Sequence, residues 1–261
     1  MNTSVIDQAD NLNMIDSSDS GDELLEPMEL MIKLYEESRR SAADLKSRAD
    51  APSKRAGELL LPSDRPRLAL PQPQVQSKPL NEAVIERMSV RHYAPSPVTQ
   101  AQLATILKTA AEGDKHDWPD EEENGLGLKF LVVAWRVEGI EPAVYGYESA
   151  VHTLIQLGPV PDQSTEAINM VLQIEFADAP VIILTVGDLA AASARYGGWG
   201  HRQLLLRAGT AGQRLWLASI GVGLVGTVFA GFLHRAARRI AGVEGYRNAA
   251  LLAYSTGHGR S

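Results

Sequence analysis

Arg87-Met88-Ser89-Val90-Arg91-His92-Tyr93 sets two arginines and a serine at alternate positions. In an extended segment alternate side chains share one face, so Arg87, Ser89 and Arg91 are expected to converge on one object. Two guanidinium forks and a hydroxyl form a donor set suited to a phosphorylated cofactor. Spacing alone leaves a second reading open, a solvated basic turn beside a helix.

Residues 79–88 read as the helix that delivers this segment. Thr99-Gln100-Ala101-Gln102 is a capping box, with Val98 and Leu103 placed as its hydrophobic staple. The helix it starts carries Leu103, Ile106, Leu107 and Ala110 on one stripe and is expected to stop at Gly113. Residues 114–127, including Asp120-Glu121-Glu122-Glu123-Asn124, read as an acidic loop. Leu128 to Val137 is a strand apolar on both faces, hence central in its sheet. Val144-Tyr145-Gly146-Tyr147 reads as a shorter strand before a loop through His152. A helix is expected over 165–177 and a buried strand over 181–186. Arg202 to Ile220 is the longest helix, apolar around most of its girth, with small residues from Ala208 to Gly212. Such a helix is buried in a core or at a subunit interface, and Gly221 and Gly223 end it. Strands over 224–229 and 249–255, with a helix at 232–241 between them, complete an α+β or α/β sandwich.

The upstream part differs in composition. Residues 1–26 hold seven acids and no Lys or Arg, so the net charge of −7 belongs to this arm. Residues 1–21 are expected to be a disordered acidic tail, either a solvating arm or a docking arm. Leu24, Met28, Met31 and Tyr35 recur at helical spacing after Asp22, a plausible N-cap. That short helix is expected to pack on the main body or on a second subunit. The chain then turns basic and proline-rich up to residue 78, which excludes a helix and implies an extended crossing. The expected organisation is tail (1–21), helix and extended arm (22–78), and main domain (79–261).

With no cysteine in 261 residues, disulfides, thiolate metal sites and thiol nucleophiles are excluded. No apolar run approaches the roughly 20 residues that span a bilayer. The acidic N-terminus lacks the basic start of a signal peptide. A cytoplasmic chain is expected, with no membrane segment. The neutral body gives nucleic-acid binding no support. His92, His152, His201 and His234 lack ligand-like spacing, so no metal is expected.

Arg87-x-Ser89-x-Arg91 with Tyr93 resembles the opening motif of the nitroreductase-like FMN flavoproteins. Several stretches resemble the SagB-type branch of that family, the azoline dehydrogenases. They are Leu68-Ala69-Leu70-Pro71, Val144-Tyr145-Gly146-Tyr147 with His152 and Leu154, and Arg195-Tyr196-Gly197 with Arg202. The helix through Gly209, Gln213, Leu215, Leu217, Ala218, Gly221 and Gly223, followed by Gly231-Phe232, is similar as well. The resemblance covers about 68–259. It implies a three-layer α+β sandwich, a homodimer, and FMN at the subunit interface. It also implies that Arg87 and Ser89 hold the phosphate and ribityl chain and that Arg91 faces the flavin pyrimidine. Gln213 would lie near the cofactor, and Arg260 would add a phosphate contact. Gln213 also reads as a polar helix-packing residue, and Arg260 as a terminal charge.

Two departures stand out. Where the branch has small residues before its central strand, this chain has Trp118-Pro119-Asp120-Glu121-Glu122-Glu123-Asn124-Gly125, whose carboxylates would repel a flavin phosphate. The lysine of the branch's Lys-Tyr pair is Arg195. The implied activity is oxidation of azolines to azoles in a ribosomally made precursor peptide, beside a cyclodehydratase. Tyr196 is then the candidate base. Its ionisation at neutral pH takes about three pK units, roughly 4 kcal/mol, and a cation ~4 Å away at an effective dielectric of ~20 supplies about that much. Arg195 would be that cation. Other readings remain open: Tyr196 as a packed loop aromatic with Arg195 at the surface, a flavin reductase of another substrate, or a non-catalytic subunit of a maturation complex.

Overall fold

The computed structural model describes residues 27–37, 61–74, 78–243, 245 and 247–260. The expectations for the tail, for Asp22 and Leu24, and for 38–60 lie outside them. Helix α1 (Pro27–Glu37) forms a unit by itself, with Met28, Met31 and Tyr35 exposed.

The main body contains β1 (Arg67–Ala69), α2 (Leu80–Glu86), α3 (Gln100–Asp117), α4 (Pro119–Glu123), β2 (Lys129–Ala134), β3 (Ala143–Glu148) and β4 (Thr153–Pro159). It continues with β5 (Val181–Gly187), α5 (Leu189–Tyr196), α6 (Gly198–Gly221), β6 (Val225–Phe229), α7 (His234–Ala241) and β7 (Ala249–Gly257). The seven strands form one sheet in the order β1-β4-β3-β2-β5-β7-β6, with every strand pair antiparallel.

β2 and β5 are apolar on both faces because the sheet has a core on each side. Phe130, Val132, Val181, Ile183 and Tyr254 pack with Leu103, Ile106 and Leu107 of α3 and Leu215 and Trp216 of α6. Alternate residues Leu131, Val133, Ile182 and Leu184 pack with Phe176, Phe229, Phe232, Ala236 and Ala237. Each large side chain fully buried this way contributes about 1.5–3 kcal/mol, so a slip of one residue would expose a whole face. The architecture is a three-layer α+β sandwich. The capping box is present: the Thr99 hydroxyl accepts from Gln102 N at 3.2 Å and the Gln102 side chain accepts from Thr99 N at 2.9 Å.

Three expectations need correction. α3 does not stop at Gly113 but runs to Asp117. Gly113 lies under the Arg214 side chain, where a Cβ would stand 2.3 Å from Arg214 Cδ. The acidic stretch is not a loop throughout, since α4 occupies Pro119–Glu123 with proline in its first turn. Residues 165–177 are not one helix: two 3₁₀ turns, Ala167–Asn169 and Ile174–Asp178, flank an extended piece. That piece is held by Leu172 N donating to Gly231 O and Leu233 N to Met170 O, both at 2.8 Å. The turn through His152 is present, with His152 in left-handed backbone (φ 52°), and it leads into strand β4, which no expectation covered.

Candidate functional site

The Arg87–Tyr93 segment leaves α2 in extended conformation, with Arg87 at φ −61°, ψ 108°. Ser89 pairs in parallel with Gly226 of β6, Val90 N donates to Gly226 O at 3.2 Å, and Tyr93 pairs with Gly259. Buried Tyr93 anchors the segment: its hydroxyl donates to Val90 O at 3.0 Å and lies 2.7 Å from Ser255 Oγ. Burial holds this phenol far above the ordinary tyrosine range, so it stays protonated as a strut.

Arg87, Ser89 and Arg91 are all exposed. The Arg87 guanidinium carbon lies 4.4 Å from the centre of the Trp216 ring on α6. That of Arg91 lies 5.8 Å from the Phe176 ring, and its Nη1 is 3.8 Å from Glu175 Oε1. The two cations thus rest on aromatic rings of different elements. Tyr93 shares their parity yet is buried, so the alternation ends there. Gln213 is half-buried on α6, one turn before Trp216. Arg260 is tied in, not frayed: its Nε donates to Tyr93 O at 2.8 Å and its Nη2 lies 3.6 Å from Asp178 Oδ2. With Tyr93, Arg136 and Asp178 it lines an open cleft of about 560 Å³.

A second constellation lies where α3, α4, α5 and α6 meet. Arg207 of α6 forms a fork with Asp114 of α3, Nε to Oδ1 at 3.0 Å and Nη2 to Oδ2 at 2.7 Å. Asp114 Oδ2 also accepts from Leu128 N at 3.0 Å, just before β2. Arg207 and Asp114 are 1% and 4% exposed, so a charge-assisted pair is closed off from water. Glu121 of α4, 3% exposed, has Oε2 4.0 Å from Arg207 Nη1 and Oε1 4.0 Å from Arg195 Nε. The Tyr196 hydroxyl donates to Glu121 Oε1 and accepts from Arg195 Nε at 2.7 Å. Glu121 Oε2 is buried without a hydrogen bond.

This geometry corrects the electrostatic expectation for Tyr196. Burial, and then the hydrogen bond to Glu121, hold its phenol above the usual tyrosine range, against the lowering effect of Arg195. The stabilisation expected from the arginine is offset by Glu121, one of the carboxylates of the acidic stretch. Arg195 is buried, not a surface charge. Asp114, Glu121 and Arg207 were missed as a unit. Arg207, set directly between Leu204-Leu205-Leu206 and Ala208 in α6, was the available signal, because a charge inside an apolar run demands a buried partner.

The chain belongs to the Nitroreductase family, whose sequence profile matches residues 84–258. A Methanocaldococcus jannaschii protein named as a nitroreductase is 28% identical over 179 residues, covering 67% of this chain and 89% of that protein. A solved nitroreductase-named protein from Anabaena variabilis superposes with a TM-score of 0.65 at 22% identity. The match covers 78% of this chain and only 43% of the Anabaena chain. One from Desulfovibrio desulfuricans, solved in complex with FMN, aligns at 19% identity and TM-score 0.48, covering 71% of this chain and 91% of that one.

Proposed function

We propose that this chain is an FMN-dependent oxidoreductase that converts azolines to azoles in a ribosomally made peptide. The observation that carries the cofactor is the exposed trio Arg87, Ser89 and Arg91 inside the family-matched region, anchored to β6 through Ser89 and Val90 and to β7 through buried Tyr93. The residues fit the group. Two guanidiniums and a hydroxyl suit a phosphate and an electron-rich ring edge, and Glu121 is turned inward to Arg195, Arg207 and Tyr196.

Arg87 and Ser89 hold the phosphate and ribityl chain, Arg91 faces the pyrimidine, and Gln213 and Arg260 border the cofactor. Bound FMN supplies the hydride acceptor. Tyr196, oriented by Arg195, handles the ring proton. A homodimer encloses the site. Its apolar contact surface comes from exposed Leu80, Val84, Ile85 and Met88 around α2, beside exposed Leu205 and Leu206 of the adjoining α6. The partners are the precursor peptide and a cyclodehydratase that makes the azoline.

Purified protein should be yellow. Arg87→Ala and Arg91→Ala should each remove a charge-assisted contact worth about 1.5–3 kcal/mol, raising the flavin Kd roughly 10- to 150-fold. Flavin affinity unchanged in both variants would sink the cofactor site. Incubation with a thiazoline peptide should remove two hydrogens per ring by mass spectrometry. One observation favours a second reading, reduction of an electrophile: a phenol held protonated is suited to give a proton. A gain of two hydrogens in the substrate marks that outcome.

A further inference from the structure

We infer that Glu121 is a positioning and proton-accepting residue behind Tyr196, completing a two-step relay from substrate to Glu121 Oε1. This rests on the dehydrogenase reading above. A neutral phenol cannot take a substrate proton unless it releases its own. Tyr196 O–H already donates to Glu121 Oε1, while Arg195 Nε, at 2.7 Å, donates to the phenol oxygen and cannot accept. Glu121 is therefore the acceptor that lets Tyr196 act.

As the substrate's C–H proton reaches the Tyr196 oxygen, the phenol's proton passes to Glu121 Oε1. The electron pair left by that proton forms the new ring double bond. Bound oxidised flavin would supply the two-electron acceptor for the hydride leaving the neighbouring carbon, which balances the reaction. The phenol is regenerated, and once product has left, the proton on buried Glu121 goes out by the reverse transfer through the half-buried Tyr196 hydroxyl. Among the described residues the cations within 4.0 Å of this carboxylate are Arg195 from α5 and Arg207 from α6, the latter itself paired with Asp114 from α3. Oε2, which has no hydrogen bond, leaves the acceptor's second oxygen uncommitted.

The test uses the flavin-loaded protein and a thiazoline peptide. Glu121→Gln keeps the shape and should cut turnover at neutral pH by a factor on the order of 100 or more. The wild-type rate should not depend on ionisation of the phenol, because Glu121 takes the proton. The rate of Glu121→Gln should instead climb about tenfold per pH unit towards the phenol's own ionisation, where solvent takes the proton. Tyr196→Phe should stay inactive throughout. Independently of turnover, tyrosinate absorbance should show Tyr196 ionising at lower pH in Glu121→Gln, read against Glu121→Gln/Tyr196→Phe. Wild type should also show a normal solvent deuterium effect, a measurement that does not depend on any variant folding. A Glu121→Gln protein that loses thermal stability but keeps the wild-type pH profile, an unshifted phenol, or no solvent isotope effect would each overturn the relay alone. A wild type that binds flavin yet leaves the thiazoline untouched overturns the dehydrogenase reading and the relay together.

Discussion

Asp114→Asn is the sharpest test of what holds the helical layer to the sheet. The substitution keeps the size of the side chain and an oxygen for Leu128 N, which now donates to Asp114 Oδ2 at 3.0 Å. It removes the charge that faces Arg207 through two hydrogen bonds of 3.0 and 2.7 Å. Arg207 is 1% exposed and cannot turn to water, and its nearest other acid, Glu121, stands off at 4.0 Å. Removing one partner of a buried pair leaves an uncompensated charge and costs about 3–5 kcal/mol. Total stability for a domain is about 5–15 kcal/mol, so the loss is a large share of it. At about 2–4 °C per kcal/mol for a chain of this size, the melting temperature should fall by roughly 6–20 °C. Urea denaturation gives the same quantity as a lower midpoint at unchanged slope. Asp114→Asn/Arg207→Met removes both charges and should recover most of the loss, giving a large coupling in a double-mutant cycle. A single-variant cost below about 1 kcal/mol, the range of a surface pair, would refute the closed-off geometry.

Gly226→Ala would place a Cβ 2.3 Å from Ser255 O and 2.5 Å from the Tyr254 hydroxyl, with a backbone oxygen that cannot move aside. It should destabilise by about 1–3 kcal/mol and weaken flavin retention through Ser89 and Val90, both paired to Gly226; wild-type melting and flavin content would count against that coupling. His152 gives a pH dependence. Burial pushes its imidazole below the usual value, with Nε2–H donating to Pro71 O at 3.0 Å and Nδ1 accepting from the Tyr147 hydroxyl at 2.7 Å. The unfolded chain then binds the proton first. The contribution is complete above the unfolded pKa of about 6.5 and is lost as pH falls below it towards the folded value. His152→Gln should flatten this part of the stability–pH curve, which chemical denaturation between pH 7 and pH 5 would measure.

What was legible in the chain was what local pattern and periodicity determine. Lys129–Ala134 and Val181–Gly187 declare themselves central because both their faces are apolar, and they lie side by side in the sheet. The Thr99/Gln102 box marked the start of α3 because four adjacent residues make both of its hydrogen bonds. Failures came where a distant partner decided the outcome. The helix expected over 165–177 breaks at Val171 because Phe232 pairs with it from some 60 residues away. Gly113 looked like a stop and is a socket for Arg214. β4 was hidden because Gln156, Gly158 and Pro159 break its apolar pattern, while pairing to both β1 and β3 supplies its order.

The charged cluster shows the same limit in its strongest form, and it ties the stability prediction to the chemical one. Asp114 and Arg207 are 93 residues apart, so no local pattern could join them. Once joined, Arg207 commits Nε and Nη2 to Asp114 and has Nη1 left towards Glu121. Glu121 is thereby flanked by two guanidiniums, with Oε1 left to receive the Tyr196 hydroxyl. Hydrophobic replacements at the Asp114–Arg207 pair could match its stability, because desolvation offsets most of a buried ion pair's attraction. They could not hold Glu121 in place. The same double variant that recovers folding stability should therefore fail to recover turnover. Recovery of both would mean that Glu121 needs no guanidinium from α6 to present its carboxylate to Tyr196.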